Sequence, residues 1–164
     1  MSAVEVTSIL GGVDAAEAGK ISAAASKGLA GGIARPLFYP YHWFSFRETT
    51  ETPFGASSIR ISCLVDGRTG LGATSDPFDV ELRRVAVRDV LSCTIEEADA
   101  LEQATRFVRH APKARRRALV GARRELVESG LVYKPFWVVS TGSERAPLSV
   151  VVDGVTARWW VNRA

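Results

Sequence analysis

Residues 62–70 read Ser-Cys-Leu-Val-Asp-Gly-Arg-Thr-Gly, and residues 149–157 read Ser-Val-Val-Val-Asp-Gly-Val-Thr-Ala. Aligned without a gap on Asp66 and Asp153, the first eight positions share five identities: Ser62, Val65, Asp66, Gly67 and Thr69 match Ser149, Val152, Asp153, Gly154 and Thr156. In each copy an apolar run ending in valine enters an Asp-Gly pair, which turns the chain. Ile59, Ile61, Cys63 and Val65 alternate with polar positions, as a half-buried strand requires.

Working upstream, each turn is preceded by a strand carrying a proline. Pro40 aligns with Pro135, Phe38 with Tyr133, Tyr41 with Phe136, Trp43 with Val138, Phe44 with Val139 and Ser45 with Ser140. A proline cannot donate to a ladder, so it sits at a strand start, a bulge or an edge. Two at matching places point to one geometry used twice. Residues 37–47 put Phe38, His42, Phe44 and Phe46 on one face, and Tyr39, Tyr41 and Trp43 on the other. The segment 48–58, with Pro53 and Gly55, reads as a loop, and 80–91 reads as an additional strand.

Helices are expected at 15–29, capped by Asp14-x-x-Glu17, and after Thr94-x-x-Glu97. The second carries an apolar stripe of Ala100, Leu101, Ala104, Phe107, Val108 and Ala111. Pro112 then starts a further helix over 113–129, with Gly130 as its C-terminal cap. Arg116, Arg117, Arg123 and Arg124 cluster on one face of it. The expected fold is α+β: two tandem helix-plus-antiparallel-sheet units joined by an Arg-rich helical connector. The partition is 1–92, 93–130 and 131–164, within one compact domain.

The strand followed by Leu-Val-Asp-Gly-x-Thr-Gly resembles PepSY-like and cystatin-like α+β units, over about 38–74 and 133–161. In those a helix packs on a small antiparallel sheet, and a Val-Asp-x-x-Thr-Gly turn joins two strands. Ala157 departs from that pattern, which has glycine there. The resemblance implies a regulatory or binding module rather than a catalyst and assigns no functional residue.

Composition agrees with a globular chain: 46% apolar and 24% charged residues, with a net charge of +3. Residues 106–124 hold eight Lys or Arg and no acid. No run of about 18 apolar residues occurs, as a membrane-crossing helix would need. Residues 1–10 lack the basic start of a secretory signal, so the expected location is cytoplasmic. Cys63 and Cys93 are expected to be reduced.

Chemistry-bearing patterns are missing from the sequence. The only histidines are His42 and His110, and no Cys-x-x-Cys or His-Glu-x-x-His spacing accompanies them. Neither a nucleophile-elbow motif nor a phosphate-binding glycine loop occurs. No cofactor, metal or catalytic residue is assigned, and enzymatic activity is not expected. The leading expectation is a non-catalytic accessory or assembly subunit. It would bind another protein, or a second copy, through an aromatic β-surface bearing Trp160, Tyr41 and Trp43. Trp159 is expected in the core, on the opposite side of its strand. One alternative is an anion-binding module, for nucleic acid or anionic lipid, using Arg116, Arg117, Arg123 and Arg124. Another is a small-ligand carrier or enzyme with a cleft between the two β-units.

Overall fold

The computed structural model describes residues 2–26, 32–110, 122–141 and 148–163. In chain order its elements are β1 (Ala3–Ile9), α1 (Ala15–Ala25), β2 (Ala34–Thr52), β3 (Gly55–Asp66), β4 (Gly72–Ser75), β5 (Val80–Ala86), α2 (Glu97–His110), β6 (Arg123–Thr141), β7 (Leu148–Asp153) and β8 (Trp159–Arg163). The protein is α+β and mostly strand. It forms two compact units: unit 1 comprises Met1–Tyr39, Phe78–Leu91 and Tyr133–Ala164, and unit 2 comprises Pro40–Pro77 and Ser92–Val132. The boundaries fall inside β2 and β6, so each of these 19-residue strands gives one end to each unit. The partition 1–92, 93–130 and 131–164 does not follow the units for that reason.

In unit 2, β2 and β3 form an antiparallel hairpin from Tyr41↔Asp66 to Thr52↔Gly55, and β4 pairs with β3. The segment expected as a loop, 48–58, is therefore strand except at Pro53 and Phe54. Threonines explain it. Thr49, Thr50 and Thr52 favour the extended backbone, and Thr49 Oγ1 lies 3.3 Å from Ser58 Oγ across the ladder. Gly55, at φ +126°, adopts a conformation that side chains rarely allow and closes the turn. On α2, Ala100, Ala104 and Val108 recur at helical spacing and are fully buried against Phe44, Phe46, Cys63 and Val65. Phe107, expected in that stripe, is exposed and lies over Gly72. Burial pushes the Cys63 thiol up to about 11, against a lowering hydrogen bond with the Ala73 backbone.

The expected helix 113–129 is corrected by the structure. Residues 123–129 belong to β6, and 111–121 lie outside the described residues. Arg, Glu and Leu make 123–129 a competent helix by propensity, but pairing beside β2 overrides it. Gly130 is inside this strand rather than capping a helix.

In unit 1 the strand order is β5-β1-β6-β7-β8. β1 pairs with β5 antiparallel from Ala3↔Ala86 to Ile9↔Val80, and with β6 in parallel at Ser8↔Tyr133. The strand expected over 80–91 ends at Ala86, and Val87–Asp89 form a 3-10 turn. Asp14 caps α1, accepting the Glu17 N–H at 2.8 Å. Ala18, Val139, Val150 and Val152 form the buried cluster here, with Ile21 and Trp137 packed on it. The Trp137 Nε1–H donates to the Val13 carbonyl at 2.8 Å. Of the expected helix 15–29, α1 covers Ala15–Ala25, and 27–31 lie outside the described residues.

The two Asp-Gly turns close the same set of hydrogen bonds. Asp66 Oδ1 accepts from the Arg68 and Thr69 N–H groups, and Asp153 Oδ1 accepts from those of Val155 and Thr156. Gly67 N–H donates to the Pro40 carbonyl and Gly154 N–H to the Pro135 carbonyl, each at 2.9 Å. Each glycine carbonyl then receives the segment leading to a helix: Thr94 and Ile95 on Gly67, Val13 on Gly154. Gly70 takes φ +75° and Ala157 φ +58°. Alanine in that left-handed region costs roughly 1–2 kcal/mol more than glycine.

Asp153 also receives the Lys134 ammonium at 2.6 Å. Burial pushes its carboxyl up, but Lys134 and the donors of Val155 and Thr156 outweigh burial and hold it below the usual carboxylate range. A depressed folded-state pKa contributes stability that is full above the unfolded value of about 4 and is lost as pH falls through the folded value. Asp153→Asn is therefore expected to lower the urea midpoint at neutral pH, with the gap to the parent closing toward about pH 2. A gap independent of pH would show that the ionised carboxylate is not what stabilises this turn.

Candidate partner-binding surface

The turn at Asp153 delivers β8, whose residues from Trp159 pair with β7 alone among the described strands. Among the described residues, one side of β8 therefore has no strand partner. Alternation along a strand sends Trp159 and Val161 to one face and Trp160 to the other. Both faces are open: Trp159 is 49% exposed, Trp160 50% and Val161 40%. The expectation that Trp159 lies in the core fails here. The buried valines of β7 take that place, and the cluster on α1 closes without it.

Trp160 is oriented by Phe136, which it meets edge to face at 6.1 Å between centroids. Phe136 in turn meets the Tyr39 ring at 6.2 Å, also edge to face. The Lys134 ammonium stands 5.4 Å from the Phe136 ring centre. Tyr39, Phe136 and Trp160 thus form a connected aromatic run within unit 1. The signal for Phe136 was its alignment with Tyr41, but it was not singled out from sequence.

Tyr41 and Trp43 are in unit 2, on β2, and are half-buried. They do not belong to the aromatic run of unit 1. Arg116 and Arg117 lie outside the described residues. Arg123 is exposed on β6, while Arg124 turns to Glu48 and forms an ion pair with it at 2.5 Å. Arg123 and Arg124 are neighbours on a strand, so their side chains leave opposite faces, and the helical face they were expected to share does not exist.

Unit 2 places His42 beside Cys93, with Nε2 at 3.2 Å from Sγ. The same Nε2 lies 2.8 Å from the Ile95 carbonyl oxygen. A ring nitrogen facing a carbonyl must carry its proton, so it cannot take one from the thiol. Cys93 Sγ has carbonyl acceptors of its own at 3.4 Å, on Gly67 and Ile95. The pair ties the Gly67 turn to the start of α2. Among the described residues, no group of three or more His, Cys, Asp or Glu could hold a metal ion. No described helix is long and apolar enough to cross a membrane.

Sequence reasoning missed a second feature of unit 1, a groove of about 230 Å³ whose walls include Pro36, Phe38, Arg83, Arg84, Pro135 and Phe136. Its walls come from three distant stretches of chain. The pair Arg83-Arg84 on a strand was the one local signal. No family model, curated protein or solved structure compared with the chain matches it.

Proposed function

We propose that this chain is a non-catalytic binding subunit that docks another protein through the aromatic edge of unit 1, with Trp160 at its centre. The observation that carries this reading is β8, a strand paired on one side only among the described residues and bearing two half-exposed tryptophans. Covering the exposed half of one tryptophan is worth about 3 kcal/mol by area. Tryptophans are also the residues on which binding energy concentrates. The matching Asp-Gly turns support reading the chain as one α+β motif used twice, and with that the likeness to PepSY-like and cystatin-like binding modules. Two free cysteines fit a cytoplasmic setting.

The test is light scattering on the chain purified under native conditions from its own cells. The expected mass exceeds the 17.7 kDa of a single chain. Trp160→Ala is expected to weaken the complex at least ~30-fold, the effect of losing about 2 kcal/mol. A monomer with no co-purifying protein, or a Trp160→Ala complex as tight as the parent, would sink the reading.

A further inference from the structure

We infer that two copies of this chain meet along β5, which pairs antiparallel with β5 of a second copy about a twofold axis at Leu82. This surface is separate from β8, and the inference goes beyond the reading given for β8.

β5 pairs only with β1 among the described strands, and Val80 to Arg84 are all exposed. The bonds flanking the β1–β5 ladder fix which backbone groups point outward. Leu10 N–H donates to the Asp79 carbonyl at 2.8 Å, and Val87 N–H to the Ser2 carbonyl at 3.2 Å. Both continue the register that sets Ile9 against Val80 and Ala3 against Ala86. Antiparallel ladders alternate between bonded and non-bonded pairs. Glu81, Arg83 and Val85 therefore bond to β1, while Val80, Leu82 and Arg84 turn their N–H and C=O groups to the open side. With the axis at Leu82, these outward groups meet one another. Leu82 exchanges bonds with Leu82 of the second copy, and Val80 with Arg84 of the second copy.

Charge selects this register. An axis at Glu81, Arg83 or Arg84 would set that charge against itself, and an axis at Val80 would set Asp79 against Glu81. An axis between two residues would set outward groups against inward ones. Like charges directly opposite destabilise a strand pair, and within this exposed run only the Leu82 axis avoids them. There Glu81 faces Arg83 of the second copy, and Arg83 faces its Glu81, in non-bonded pairs, where side chains stand closest. Glu81 and Arg83 already lie 3.5 Å apart on one strand, so the four charges alternate in sign. On the other face Leu82, 72% exposed, packs on its counterpart at the axis. Arg84 stands opposite Val80 of the second copy and keeps Glu5 as its cross-strand neighbour on β1.

Sedimentation equilibrium of the full chain, produced recombinantly and purified alone, is the test. The expected species is a dimer of the 17.7 kDa chain that dissociates on dilution and weakens as salt rises. Leu82→Lys, at an exposed position, should weaken it at least ~10-fold with the thermal melt unchanged, since two ammonium groups then meet at the axis. Glu81→Arg makes a chain basic at both positions of the charge pair, and Arg83→Glu makes one acidic at both. Each should be monomeric alone, and an equimolar mixture of the two should form the heterodimer. Trp160→Ala should dimerise like the parent, which separates this surface from β8. A parent chain that stays monomeric overturns the inference. So does a dimer indifferent to Leu82→Lys, a mixture of the charge variants that stays monomeric, or a dimer lost in Trp160→Ala.

Discussion

Arg124→Met is expected to destabilise the protein by about 3–5 kcal/mol, the cost of removing one member of a buried ion pair. Glu48 is 1% exposed and Arg124 22%, so the carboxylate is the member that suffers. Without the guanidinium its charge stays in a poorly solvated place between β2 and β6. Water can reach part of the Arg124 position, so the lower half of that range is expected. Glu48→Leu/Arg124→Met should recover most of the loss, because two apolar side chains of suitable volume need no counter-charge. Urea denaturation followed by circular dichroism measures both. A single variant within ~0.5 kcal/mol of the parent would place this pair among ordinary surface pairs.

Phe44→Ala should cost about as much, roughly 3–5 kcal/mol, by a different route. Phe44, 1% exposed, is one of two phenylalanines in the buried cluster between α2 and the β2–β3 hairpin. Its opposite wall is Ala100, Ala104 and Val108, small side chains that cannot extend to fill the space it would leave. The loss is thus transfer free energy together with a cavity that the helix cannot collapse into. Phe44→Leu keeps much of the volume and should cost clearly less than Phe44→Ala. Equal costs for the two variants would mean that shape, not volume, is what this cluster needs.

Parts of this fold were legible because local chemistry and tertiary structure agree. The Asp-Gly turns, the alternation ending at Cys63 and Val65, the Asp14 cap and the Ala100–Ala104–Val108 stripe each have a local cause. Residues 123–129 illustrate the opposite case. Arg-Arg-Glu-Leu-Val-Glu-Ser carries helix-forming side chains, and the neighbouring β2, 76 residues away in sequence at the Glu48–Arg124 pair, makes it a strand. Trp159 shows another limit. Alternation says which side chains share a face, but not whether anything covers that face. Trp160 could be singled out from its polar neighbours Arg158 and Asn162, whereas the groove could not, since no single stretch of chain contains its walls.

The interruption of β2 and β6 by the unit boundary bears on the order in which the protein can be made. Every residue of unit 2 has been joined to the chain once Val132 has been added. Unit 1 still lacks the second half of β6, β7 and β8 at that moment. Unit 2 therefore has its full set of residues before unit 1 does, and closing it around the Phe44 cluster holds Phe78–Leu91 as a loop between two of its segments. Until those strands are added, β1 and β5 have only each other, and α1 lacks the Val139, Val150 and Val152 side chains on which it packs. In that interval the Ala18 and Ile21 side of α1 has no valine cluster to cover it.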